Sequence, residues 1–229
     1  MSRAFCIPGI VFLFCALVLS FLVSISLPFL PALDIVRVNY GGNGNGVILA
    51  GELQQIRYGI WAPCAYDKTG SRTCLKSHHG YETEVGNPLD TSKIAHVKSS
   101  WTRGLAVHPV ATAAIFVAFL LSFSTHITVT LMSSIMSFLA ALLTLIAFAI
   151  DIALFIMVRR ANNNLDIGAN TNTSAASSFL IAFWMTLVVF ILLLMAGCTV
   201  CFGRRRARMA DATTAYPMQK TGFFSRFRR

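Results

Sequence analysis

Charged side chains are scarce in this chain: Asp, Glu, Lys and Arg make up 12% of its 229 residues, against about 25% in an ordinary soluble domain. Acids are the scarcer half, at nine against nineteen bases. The chain also lacks a nucleophile motif and any pair of carboxylates within an apolar segment. Residues 41–46 are rich in glycine, but no lysine and no helical pattern follow them, so they supply turn chemistry rather than a phosphate cradle. These absences exclude an ordinary soluble domain and argue against an enzyme. No cofactor or metal is expected.

What the chain has instead is 55% hydrophobic residues, gathered into four long runs at 5–27, 107–123, 127–158 and 179–202. A spanning helix needs about 20 apolar residues, within a range of about 17–25, to cross a hydrocarbon core. All four runs meet that test. The predicted fold is a mainly α membrane protein: a four-transmembrane-helix bundle with a small extracellular antiparallel β-sheet formed by the first outer loop. Its parts are a first spanning helix (1–27), an outer loop domain (28–106), spanning helices two to four (107–202) and a basic cytoplasmic tail (203–229). The third run, taken as a straight helix, would be about 48 Å long, so it should tilt or project beyond one face. The first run alternatively reads as a cleaved signal peptide, since Arg3 precedes it and Ser24, Ile25 and Ser26 resemble a cleavage site. Its length favours a retained helix.

The net charge of +10 does not indicate nucleic acid, because of where the charge lies. Eight of the nineteen bases follow Gly203, with Asp211 the single acid beside them, whereas the segment before the second run holds eight bases and six acids. A basic excess beside the last apolar run reads as a cytoplasmic tail facing anionic lipid. Arg3 and Arg204, Arg205, Arg206 and Arg208 place both termini in the cytoplasm of a multi-pass membrane protein. Arg159 and Arg160 count against this orientation. The sequon at Asn172, Thr173 and Ser174 counts for it, although its closeness to the fourth span leaves glycosylation open.

The outer loop contains a polar, aromatic stretch at 57–81. Residues 33–40, 47–49 and 53–61 read as strands, and 82–100 as polar and irregular. Cys64 and Cys74 are the two outer cysteines, and such a pair in an oxidising compartment reads as a disulfide. Closing a loop of about 11 residues would contribute roughly 3 kcal/mol in the chain-entropy model. Free thiols are the alternative, and a metal site with His78 and His79 has no matching zinc spacing. Tyr58, Gly59 and Trp61 form the aromatic motif of the outer domain, with Tyr58 and Trp61 expected to anchor the sheet on the helices. Trp101 sits just before the second span, at interfacial depth.

In the third run Thr130, Ser133, Ser137, Ala140, Thr144, Ala147 and Asp151 follow one another at steps of three and four. Small residues on one face let membrane helices approach closely, and hydroxyls can bond across the contact. Ala111, Ala114, Ala118 and Ser122 repeat the pattern in the second run. Asp151 is the one formally charged residue deep in a span, and no basic residue in another span offers itself as a partner. It is a functional candidate by cost, or it hydrogen-bonds a neighbouring helix. Cys198 and Cys201, beside basic residues, are candidates for palmitoylation, for a redox pair, or for no role. In the tail, Phe223, Phe224 and Phe227 interleave with Arg226, Arg228 and Arg229, a pattern that fits either an inner-leaflet contact or a disordered tail.

These residues resemble a known family. Four spans, a long first outer loop with Gly59, Ile60 and Trp61 before Cys64 and Cys74, and short later loops are similar to the claudin-like superfamily. Tyr58 to Cys64, then Cys74, Gly80 and Tyr81, look like the fungal PalI family. So do residues 105–111, with His108 and Pro109, and residues 142–158, with Asp151. The resemblance implies a plasma-membrane accessory protein that helps a seven-span pH sensor reach or work at the surface. The second role it implies is organising plasma-membrane domains, with effects on the cell wall. His78 and His79, whose type titrates between about pH 5 and 8, are candidate pH-sensitive residues or simply solvated ones. Expected partners are membrane lipids and such a membrane-protein sensor; a homo-oligomer is compatible with the sequence.

Overall fold

The computed structural model describes residues 6–39, 53–67, 69–86, 94–124, 126–163 and 181–215. The expected turn at 41–46, the strand at 47–49, the sequon at Asn172 and the aromatic–basic end of the tail lie outside these residues. Among the described residues, four helices are long and apolar enough to cross a membrane. They are α1 (Cys6–Phe29), α2 (Val107–Ser122), α3 (Ile127–Asn163) and α4 (Ile181–Ala215). A helical turn Ser99–Thr102 and a 3-10 turn Arg103–Ala106 lead into α2. The last helix runs past residue 203, so the tail begins as helix rather than as a separate segment.

The helices close a ring in which α1 packs on α2 and α4, and α3 packs on α2 and α4. Small residues set the spacing. Ala16, Ala114, Ala118, Ala140, Ala141 and Ala196 are buried together with Leu13, Ile115, Val189 and Leu193. Alanine brings backbones close, which is how helices pack tightly where lipid removes the hydrophobic drive between them.

Over one end of the ring sits a four-stranded antiparallel sheet in the order β1 (Val36–Asn39), β2 (Leu53–Tyr58), β3 (Pro63–Asp67) and β4 (Arg72–Cys74). Its residues alternate between buried and half-buried along β1, as expected for strands with one covered face. A second hairpin pairs β5 (Thr83–Gly86) with β6 (Ile94–Val97). Reading 82–100 as irregular was therefore incorrect. Its polar composition hides the pattern: among the described side chains of the hairpin, Val97 is buried while Ile94 is exposed.

Sheet and helices share one core: Val36, Val38, Ile56 and Tyr58 are buried with Leu105, Leu154, Val158 and Ala182. The length of α3 is thereby accounted for. Its C-terminal turns rise beside the sheet, where Val158 joins this core and the helix touches β6.

Two turns of sequence fix the sheet locally. Asp67 accepts hydrogen bonds at Oδ1 from the Thr69 backbone N–H (2.9 Å), the Thr69 hydroxyl (2.7 Å) and the Ser71 N–H (2.8 Å). Gly70 completes that turn at φ 82°, a conformation glycine adopts without penalty. At the start of β1, buried Asp34 receives both Nε and Nη2 of Arg37 at 2.7 and 2.9 Å. This forked geometry satisfies both carboxylate oxygens.

Candidate functional site

The loop between β2 and β3 is where the outer domain meets the membrane helices. Helix α1 breaks at Ser26 and Leu27, whose backbone angles are not helical, and Pro28 follows. Proline has no N–H, so the Ser24 carbonyl loses the donor that a regular helix would supply four residues on. The indole N–H of Trp61 donates to that carbonyl at 2.8 Å. The Ser26 hydroxyl accepts from the backbone N–H of Ile60 at 3.0 Å.

Gly59 lies against the same break. A Cβ there would come within 2.4 Å of the Leu27 Cβ, so the loop can lie on α1 only with glycine at this position. Tyr81, fully buried, donates its hydroxyl to the Gly59 carbonyl at 2.7 Å. The Thr102 hydroxyl in turn donates to the Tyr81 carbonyl at 2.7 Å. One connected set of bonds thus runs from the end of α1, through the aromatic loop, to the turn preceding α2.

Cys64 and Cys74 stand directly opposite each other across β3 and β4 and form a disulfide with their Cα atoms 4.0 Å apart. The bond ties the short edge strand β4 to the sheet. His78 and His79 follow it on the exposed surface. The His78 backbone N–H donates to the Trp61 carbonyl at 3.0 Å, so the histidine loop is fastened to the aromatic motif. His96 lies on β6, 3.1 Å from Glu84 across the hairpin.

Beneath the sheet is a buried polar cluster. Asp151 has one carboxylate oxygen, Oδ1, 3.0 Å from Nε2 of His108. Both side chains are enclosed, at 1% and 5% exposure. The sequence offered no basic partner for Asp151 in another span; the structure supplies the imidazole of His108 in the first turn of α2. Gly104 allows this approach, since a Cβ there would stand 2.9 Å from Ile150 Cγ2 on α3. One turn below His108, the Thr112 hydroxyl lies 2.6 Å from the Ser20 hydroxyl and 2.7 Å from that of Ser24. Serines four apart on α1 present both hydroxyls to the same threonine. This spacing, Ser20 and Ser24 facing His108 and Thr112, was the available signal for the cluster. It was missed because hydroxyls are common in apolar helices.

The small-residue face of α3 points inward, with Ser133, Ser137, Ala140, Thr144, Ala147 and Asp151 all buried. The Ser133 hydroxyl donates to the Ala118 carbonyl of α2 at 2.9 Å, and that of Ser137 to the Leu193 carbonyl of α4 at 3.1 Å. Thr144 bonds back to Ala140 within its own helix. Thr130, half-buried, bonds its hydroxyl locally to the His126 carbonyl at 2.9 Å. Cys198 is exposed on α4, and the side chain of Cys201 is outside the described residues.

Within the cluster, Asp151 and His108 form a buried hydrogen-bonded pair. Among the described residues no group of three or more His, Cys, Asp and Glu side chains converges. Its arrangement holds three helices in register beneath the sheet. A multi-pass membrane protein with four spanning helices and a small antiparallel outer sheet stapled by a disulfide has a claudin-like architecture. The SUR7/PalI family profile matches residues 5–196, and the chain belongs to that family. No curated protein matches the chain.

Proposed function

We propose that this protein is a non-catalytic accessory of the plasma membrane, with both termini cytoplasmic, that supports surface delivery or assembly of a seven-span pH sensor. Membership of the SUR7/PalI family over residues 5–196 carries this reading. The architecture supports it. The outer sheet is fastened to α1 through Trp61 and Ile60 and to the turn before α2 through Tyr81, so a contact on the sheet is transmitted to the helix ends. In this role the exposed loop with His78 and His79 is the surface offered to the partner, and Cys198 and Cys201 are acylation sites beside the basic tail.

The alternative is an organiser of plasma-membrane domains, for which external pH is irrelevant; the family takes its name from SUR7 as well as PalI. Deleting the gene in its source cell separates the two. Growth failure confined to alkaline medium, with the sensor retained inside the cell, supports the accessory role. Wall or membrane-domain defects at every pH, with normal sensor delivery, would refute it in favour of the organiser. Replacing His78 and His79 together by Gln tests the loop: an unchanged response to external pH removes them from the mechanism.

A further inference from the structure

A groove of about 790 Å³ runs between α1 and α2, with Trp61 and Phe29 among its lining residues. We propose that it holds one acyl chain of a glycerophospholipid whose phosphodiester rests against Arg72. The volume is that of a site for one ligand, since such clefts span about 300–1,000 Å³.

The wall dictates an apolar occupant. Val18, Phe21, Ala113 and Phe116 line it, and its two hydroxyls, on Ser24 and Thr112, are already bonded to each other at 2.7 Å. The Trp61 indole N–H is taken by the Ser24 carbonyl. A polar ligand would therefore bury its groups against spent ones, leaving them unsatisfied.

The position dictates lipid. Both walls belong to membrane-crossing segments, and Val18, Phe21 and Phe116 are 41%, 54% and 48% exposed on the outside of the bundle. The groove thus opens into hydrocarbon, not water.

The rim selects a phosphate. At the sheet end the groove passes Phe29, and the exposed Arg72 donates Nη1 to the neighbouring Pro28 carbonyl at 3.3 Å. That bond uses one of the five guanidinium donors, and their forked geometry matches a phosphodiester. Arg57 is held just beyond, donating to the Pro31 carbonyl at 2.9 Å. An acyl chain below and a cation above are the two ends of one phospholipid in the leaflet on the sheet side. A sterol has only a hydroxyl to offer the cation, and a second helix carries no phosphate.

The test is photolabelling of the full-length protein in phosphatidylcholine nanodiscs. These would carry a trace of phosphatidylcholine with a diazirine on its acyl chain, and the labelled residues would be mapped. Labelling should favour Phe21, Ala113 and Phe116 by about tenfold over Ile135 and Leu142 of α3, which are as exposed at 51% and 54%. Filling the groove by Ala113→Trp, or independently by Val18→Trp, should abolish that preference, whereas Ile135→Trp should not. Arg72→Gln should weaken groove labelling by the phospholipid probe but not by a diazirine fatty alcohol. Non-reducing electrophoresis and size exclusion confirm that each variant is folded. Even labelling of all exposed faces, preferential labelling by a diazirine sterol, or cross-links from the groove to a second copy of the chain would each overturn the proposal.

Discussion

Nε2 of His108 on α2 lies 3.0 Å from Oδ1 of Asp151 on α3, and both side chains are buried beneath the outer sheet. Removing one member strands the other in a medium without water. Either His108→Ala or Asp151→Ala should cost about 1–3 kcal/mol, or more if the remaining group is charged. The double variant should cost less than the sum of the two. Asp151→Asn keeps an acceptor and should retain most of the stability. Unfolding of the purified protein in mixed micelles, read as a double-mutant cycle, measures all four. Additive losses would show that the pair is not coupled.

Gly59→Ala should be among the most damaging single changes in the outer domain. The added Cβ would meet the Leu27 Cβ at 2.4 Å, and the obstacle is held in the main chain of α1 rather than at the flexible end of a side chain. The loop must lift, breaking the Trp61 bond to Ser24 and the Tyr81 bond to Gly59. Loss of surface delivery and faster proteolysis at the loop are the expected results. Gly70→Ala should be milder, because open space surrounds it and its cost is one strained backbone angle.

Two buried tyrosines in the outer core should respond oppositely to loss of their hydroxyls. Tyr81→Phe leaves the Gly59 carbonyl without its donor and should destabilise by about 1–3 kcal/mol. Tyr58→Phe removes a buried hydroxyl that has no hydrogen-bond partner and should be neutral or stabilising.

Alkaline pH probes the same site. Burial pushes the Tyr58 hydroxyl up to about 12 from its ordinary value, and the neighbouring Thr83 hydroxyl opposes this slightly without completing a hydrogen bond. Between about pH 10 and 12 the unfolded chain is ionised at this position and the folded one is not. The contribution is therefore full below that window and lost as pH rises through it. Stability of the wild type should fall more steeply there than that of Tyr58→Phe, as followed by phenolate absorbance and thermal unfolding.

The hairpin of β3 and β4 carries a covalent and an acid-sensitive restraint side by side. Cys64→Ser or Cys74→Ser should cost the outer domain roughly 3 kcal/mol, and the wild type should show the same loss on reduction. Asp67, held below the usual carboxylate range first by the Thr69 hydroxyl and then by backbone N–H groups, favours the folded hairpin above its unfolded pKa. That support is lost as pH falls through the lowered folded value. Asp67→Asn should remove this acid dependence, as measured by amide exchange in the turn.

How much was legible in advance varied with the range of the interaction. The inward face of α3 could be read because its residues, Thr130 to Asp151, lie on one helix at fixed spacing, although Thr130 at the end of the series is only half-buried and bonds within its own helix. The staple of Cys64 and Cys74 could be read because two cysteines in one short segment leave few pairings. The hairpin of β5 and β6 could not, since it depends on Val97 meeting a core assembled from β1, β2, the 3-10 turn at Leu105 and α3. The partner of Asp151 stayed hidden for a similar reason. His108 is one neutral-looking residue at the start of an apolar run, 43 positions away, and only the docking of α2 on α3 gives it a role.

The sequence by itself determined that four helices cross a membrane, that a disulfide-bearing sheet stands between the first two, and which face of α3 turns inward. Apolar length and helical period act within one segment, so they need no knowledge of the rest. The tertiary structure alone decided that Trp61 caps the carbonyl freed by Pro28, that Gly59 lets the loop lie on α1, and that His108 holds Asp151. Those bonds join residues far apart in the chain. They exist because the folded bundle excludes water and leaves each buried polar group no partner but another part of the protein.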